Sequence, residues 1–178
     1  MRITISGPPG SGKSTVASLL SKKLGLETIS GGNIFRELAT KKNMTLDEFT
    51  RYVQNNKEID NELDELLLKK AKSMDDVVLE SRLIGWLTFL NDVSSYRFFI
   101  TASIDIRIKR IFKREGGDIK ELKRLTEDRQ KSEFERYSKL YDIDLEDMSI
   151  YDLVIDSSSI SPEKIVDKIA QSVYNNAD

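Results

Sequence analysis

Near the start of the chain, Gly7-Pro8-Pro9-Gly10-Ser11-Gly12-Lys13-Ser14 decides the fold. The stretch matches G-x-x-x-x-G-K-[ST] without a mismatch. Residues 2–6, Arg-Ile-Thr-Ile-Ser, precede it as a short β-branched strand. Residues 13–24 follow it with apolar side chains at Val16, Leu19, Leu20 and Leu24, a helical period that Gly25 ends. Strand, glycine-rich loop and helix in that order make a phosphate cradle. The glycines let successive backbone N–H groups point into one concavity, and the helix N-terminus adds positive partial charge there. Lys13 is then placed to reach the β- and γ-phosphates of a nucleoside triphosphate, with the Ser14 hydroxyl on Mg²⁺.

Outward from this loop, strand and helix signals alternate nearly to the end. Residues 27–30, 77–80, 97–103 and 152–156 read as strands. Helical patterns cover about 34–73, with breaks near 42–43 and 55–57, then 82–92, 105–113, 119–141 and 162–174. Thr45 and Glu48 read as a capping box ahead of Phe49, Tyr52 and Val53. Such alternation implies an α/β fold of the P-loop NTPase type: a five-stranded parallel sheet between two helical layers. The helical excursions over about 37–73 and 105–141 exceed simple crossovers. They are expected to be an insert and a lid on a core of 1–36, 74–104 and 142–178.

Composition narrows the chemistry. The 178 residues include neither cysteine nor histidine. Disulfides, thiolate or imidazole metal sites, a cysteine nucleophile and a Ser-His-Asp triad are therefore excluded. No apolar run suits a membrane span, and the first residues lack the pattern of a secretory signal. A cytoplasmic, monomeric protein is expected. The net charge of −2 hides an asymmetry: residues 107–131 hold ten Lys or Arg against five Asp or Glu. One basic segment on an acidic body suits a local phosphate group. Nucleic acid is not expected as a partner, because the segment lacks interleaved stacking aromatics.

A guanine-reading Asn-Lys-x-Asp is absent, which argues against a GTPase. A P-loop chain of this length with an arginine-rich excursion suits a small-molecule kinase, where arginines surround the phosphoryl group in transit. Further segments carry a resemblance: Ser30-Gly-Gly-Asn-Ile-Phe-Arg36, Val78-Leu-Glu80-Ser-Arg82, Arg129-x-x-x-Glu133-x-x-Arg136-Tyr137, Tyr141-Asp-Ile-Asp144 and Tyr151-Asp-Leu-Val-Ile-Asp156. Together with the phosphate loop, the chain resembles the short, archaeal-type cytidylate kinases from residue 1 to about 170. Enzymes acting on AMP usually carry Asp-Gly-Phe-Pro-Arg after the third strand, where this chain has Glu80-Ser-Arg-Leu.

The resemblance implies phosphoryl transfer from ATP to CMP or dCMP with Mg²⁺, and a monophosphate-binding insert and a lid. UMP, AMP or metabolite kinases, and a nucleotide-dependent regulatory protein, remain as alternatives. Within it, Gly7 to Thr15 hold ATP. Arg36, beside Gly32, and Arg82 grip the monophosphate. Lys13 and Arg129 contact the phosphate in transit, and Glu133 and Arg136 hold the ribose hydroxyls. Arg107, Arg110 and Arg114 are spaced for one helical face, and the first two are expected around the ATP phosphates. Glu80 either meets a Mg²⁺-bound water or pairs with Arg82. Asp60 is a candidate reader of the base, with a plain surface acid as the alternative. Adenine is expected between a lid arginine and the loop Ser157–Ile160.

Overall fold

Strand β1 (Arg2–Ser6) occupies the middle of a five-stranded parallel sheet in the computed structural model. On one side lie β3 (Val77–Glu80) and then β2 (Glu27–Ser30); on the other lie β4 (Tyr96–Thr101) and β5 (Leu153–Asp156). The order is β2-β3-β1-β4-β5. The structure describes residues 1–175, apart from the side chains of Asp47, Gln54, Lys57, Asp60 and Arg136.

Alternation along the strands sorts side chains to two faces. On β3, Val78 joins a core with Ile3, Ile5, Phe98, Ile100 and Ile155, covered by α1 (Lys13–Leu24) and α8 (Pro162–Asn175). Its neighbours Val77 and Leu79 face the other way. There they meet α4 (Lys57–Ser73), α5 (Ile84–Leu90) and Tyr137 of α7 (Ile119–Tyr141). Both faces are thus dry, which is why the strand sequences are nearly continuous apolar runs.

The first excursion divides into α2 (Gly31–Lys41), α3 (Leu46–Asn55) and α4. Asn43, at φ 54°, makes the first break, and the Thr45–Glu48 capping box restarts the helix. Phe35 of α2 packs on Phe49 of α3 at 4.7 Å between ring centres, giving this excursion a small core of its own. The second excursion is α6 (Ile104–Glu115) and α7, joined through Gly116 and Gly117.

Several boundaries differ from the sequence reading, three of them near the site. Helix α2 begins at Gly31 rather than near Ile34, because the Ser30 hydroxyl accepts the Asn33 N–H and caps it. Strand β4 ends at Thr101, two residues early, where Ala102 and Ser103 turn the chain into α6. Helix α5 starts only at Ile84, since Ser81 Oγ accepts the Leu83 and Ile84 N–H groups. Loops that leave the C-terminal ends of parallel strands gather at one edge of the sheet, where ligands of such sheets bind.

Candidate active site

A cleft of about 760 Å³ opens at that edge. Its wall runs along Pro9 to Val16, crosses Gly31, Gly32 and Arg36, and takes in Glu80, Ser81 and Arg82. Arg110, Arg114, Arg129, Glu133 and Ile160 close the other side. The phosphate loop and the sequence-distant arginines therefore share one space. Gly7 and Pro8 belong to the loop but not to the cleft wall.

The loop is shaped by close contact from below. Gly10 sits at φ 76°, and a Cβ on it would lie 2.6 Å from the Arg107 carbonyl oxygen. No other residue type fits both demands. The Ser157 hydroxyl donates to the Ser11 carbonyl oxygen at 2.7 Å. Arg110 donates to the carbonyl oxygens of Gly10 and Ser11, both at 3.2 Å, and to the Ser157 hydroxyl and carbonyl at 2.9 and 2.8 Å. The loop after β5 is thus bound to the phosphate loop both directly, through Ser157, and through Arg110.

Lys13 is half-buried at the first turn of α1, with its ammonium 3.5 Å from the Pro8 carbonyl oxygen. Burial pushes its pKa down from the usual lysine value to about 8, and the Glu80 carboxylate opposes that fall only in part. A desolvated cation in a glycine-rich loop favours the binding of an anion.

Arg82 and Arg129 converge on one carboxylate. Arg82 reaches Glu133 Oε2 at 2.6 Å, and Arg129 reaches Oε1 at 2.8 Å. Burial pulls the Arg82 guanidinium below its ordinary range, and Glu133 counters this. The Arg129 guanidinium lies 5.6 Å from the centre of the Phe35 ring, which links α7 to the first excursion. Arg36 is exposed on α2, held by Asn33 Oδ1 at 2.7 Å, and borders the same cleft.

Arg107, expected around the ATP phosphates, lies beneath the loop instead of on the cleft wall. It is 5% exposed. Its guanidinium donates to the carbonyl oxygens of Ala102 and Pro9 and to Gln130 Oε1, at 3.2, 3.4 and 2.9 Å. Helix α6 starts at Ile104, so Arg107 lies in the first turn, beneath the loop. Arg110 and Arg114, four residues apart, are the two that reach the cleft. A helical period of arginines shows that they share a face, but not which turn of that face meets the loop. Asp60 and Arg136 lie outside the residues whose side chains are described.

Glu80 does not pair with Arg82 by any ion pair among the described residues. Its Oε1 accepts from Ser14 Oγ at 2.9 Å and from Ser30 Oγ, while its buried Oε2 has no hydrogen-bond partner. Ser30 was not among the residues singled out from the sequence. Two hard oxygen donors, one of them an orphaned carboxylate oxygen, fit a magnesium ion that keeps several waters and takes its other ligands from phosphates. Among the described residues no group of three or more acids gathers as a protein cage.

Comparison with known proteins gives a consistent picture. The profile of the cytidylate kinase-like family matches residues 2–159. A cytidylate kinase of Archaeoglobus fulgidus is 44% identical over 173 residues, covering 97% of this chain and 94% of the relative. One from Halorubrum lacusprofundi is likewise 44% identical, covering 97% and 89%. One from Sulfurisphaera tokodaii is 41% identical, covering 98% and 96%. Among solved structures, shikimate kinase from Acinetobacter baumannii superposes with a TM-score of 0.65 at 17% identity, covering 98% and 93%. That likeness concerns the fold alone.

Proposed function

The chain belongs to the cytidylate kinase-like family, and from that premise we propose that it transfers the γ-phosphoryl group of ATP to CMP or dCMP. The observation that carries the proposal is the single cleft in which the phosphate loop faces Arg36, Arg82, Arg129 and Glu133. One wall suits a donor's phosphates and the other an acceptor's, with the transferring group between them. Both substrates belong to the cytoplasm, where we place the reaction.

No protein base is required. A phosphate oxygen of the monophosphate forms a bond to the γ-phosphorus while the bond to the β,γ-bridging oxygen breaks, leaving ADP and the diphosphate. The chemistry reduces to alignment and neutralisation of charge. Lys13 and the loop N–H groups bind the β- and γ-oxygens, and Arg110 and Arg114 approach from α6. Arg82 and Arg129 receive the acceptor phosphate and Glu133 the sugar hydroxyls. Ser14 and Glu80 would hold Mg²⁺, which supplies further neutralisation of the phosphate oxygens. The α2–α4 and α6–α7 excursions act as flaps that exclude water, a rival acceptor. The cleft-facing arginines on both support this reading.

An ADP-release assay tests it, with ATP and Mg²⁺ against CMP, dCMP, UMP, AMP, GMP and no acceptor. The expected result is turnover with CMP or dCMP alone, absent in Lys13→Ala. Equal hydrolysis with and without every monophosphate refutes the proposal.

A further inference from the structure

Two serines share one oxygen of Glu80. Ser14 Oγ donates to Oε1 at 2.9 Å, and Ser30 Oγ donates to the same atom from the end of β2. Strand register brings this about, because Ser30 pairs with Glu80 across the β2–β3 ladder. Glu80 is 1% exposed. A carboxylate buried to that degree is held in one orientation by whatever donates to it.

The Ser30 hydroxyl is used twice. Its proton goes to Glu80, and its oxygen accepts the Asn33 N–H at 3.1 Å, which caps α2. Asn33 Oδ1 in turn accepts from Arg36 at 2.7 Å. Ser14, Glu80, Ser30, Asn33 and Arg36 form one continuous chain of hydrogen bonds. It begins in the loop that faces the donor phosphates and ends on an arginine at the acceptor side. Of the two donors to Glu80, only Ser30 lies outside the phosphate loop. Engagement of Ser14 by a ligand therefore does not by itself remove the Ser30 bond.

We propose that Ser30 is a positioning residue that ties the Glu80 carboxylate to helix α2, so that ordering of the donor centre and orientation of Arg36 form one coupled event. This rests on the Mg²⁺-dependent kinase reading above. Glu80 and Arg36 touch ligands; Ser30 acts through them.

Three substitutions separate its two bonds. Ser30→Thr keeps both. Ser30→Asp keeps an acceptor for the cap, since Asp is a strong N-cap residue, and at a pH high enough to ionise both carboxylates, where they share no proton, it offers Glu80 no donor. Ser30→Ala keeps neither. Calorimetric titration with ADP, in the presence and absence of Mg²⁺ and then of CMP, reads two coupling ratios without turnover, and thermal melting reads the cap. Coupling between sites typically amounts to roughly five- to 150-fold in affinity. The expected result is that both ratios fall toward one in Ser30→Ala and Ser30→Asp and stay at the wild-type value in Ser30→Thr. Melting temperature should drop mainly in Ser30→Ala.

Wild-type coupling in Ser30→Asp or Ser30→Ala overturns the inference, as does its loss in Ser30→Thr or its absence from the wild type. The Mg²⁺ ratio needs no acceptor. If CMP proves not to be the substrate, the assay of the preceding subsection reports that failure, while the Mg²⁺ arm still decides the role of Ser30.

Discussion

Arg82, at the end of β3, donates to the Glu133 carboxylate of α7 at 2.6 Å. The carboxylate sits between that guanidinium and the Arg129 guanidinium, which is where an acceptor phosphate would meet both. A phosphate arriving there must share or displace Glu133. Glu133→Gln removes the negative charge while keeping the shape. Inorganic phosphate should then bind about tenfold tighter, in line with about 1.4 kcal/mol for one lost competitor. CMP turnover should fall. Phosphate inhibition constants measured on both proteins check this.

Lys13 sets a pH dependence whose sign is definite. Its pKa in the empty protein is about 8, below the usual lysine value. Bound phosphates favour the ammonium and raise that pKa. Below pH 8 both states are protonated, so ADP affinity is level. Above it, the empty protein loses a proton that the complex keeps, and affinity falls by up to about tenfold per pH unit. For folding the direction is opposite. Between about 8 and the unfolded value the unfolded chain binds more protons, so the empty protein gains stability from this group as pH rises. Calorimetry across pH 7 to 10 tests the first effect, with Lys13→Arg expected to abolish it.

Arg107 and Arg114 should respond differently to mutation. Arg107→Met leaves the carbonyl oxygens of Ala102 and Pro9 without their donor. Loss of charged hydrogen bonds at a buried site costs about 1.5–3 kcal/mol each at most, so melting temperature should fall along with activity. Arg114→Ala, on an exposed and cleft-lining residue, should lower turnover with little change in melting. Equal melting losses in the two would refute the distinction.

Gly85 offers a test of packing beneath the site. A Cβ there would lie 2.5 Å from Tyr151 Cε1 and 3.0 Å from Ser6 Oγ, in the buried layer between α5 and the sheet. Gly85→Ala should destabilise by about 1–3 kcal/mol, the ordinary cost of overpacking. Denaturant unfolding of both proteins measures it. Tyr151, its phenol pushed up to about 12 by burial, stays neutral throughout.

What could be read from the residues depended on how local the cause was. The phosphate loop is written in eight consecutive positions, and Gly10 is needed for a dihedral angle that those positions fix themselves. The sheet was legible because Val77, Val78 and Leu79 are apolar on both faces at once. The place of Arg107 was not legible, because it depends on where α6 meets the loop, a contact between residues nearly 100 positions apart. Ser30 opened a quoted segment but was given no role, for a similar reason. Only the β2–β3 register sets it beside Glu80, and register leaves no trace in a four-residue strand. Arg129 and Glu133 are an i,i+4 pair whose contact their spacing already allows, whereas the approach of Arg82 to the same carboxylate was not visible in the sequence.

The bond from Ser157 to Ser11 spans 146 positions. The residues that shape the cradle's floor therefore include some synthesised long after the loop itself. A nascent chain that has exposed β1, its loop and α1 carries the whole phosphate motif yet lacks Ser157 and the edge strand before it. Long-range closures of this kind come late in folding. Nucleotide then rewards only chains that have completed the sheet through β5, and by mass action it draws the folding equilibrium toward them.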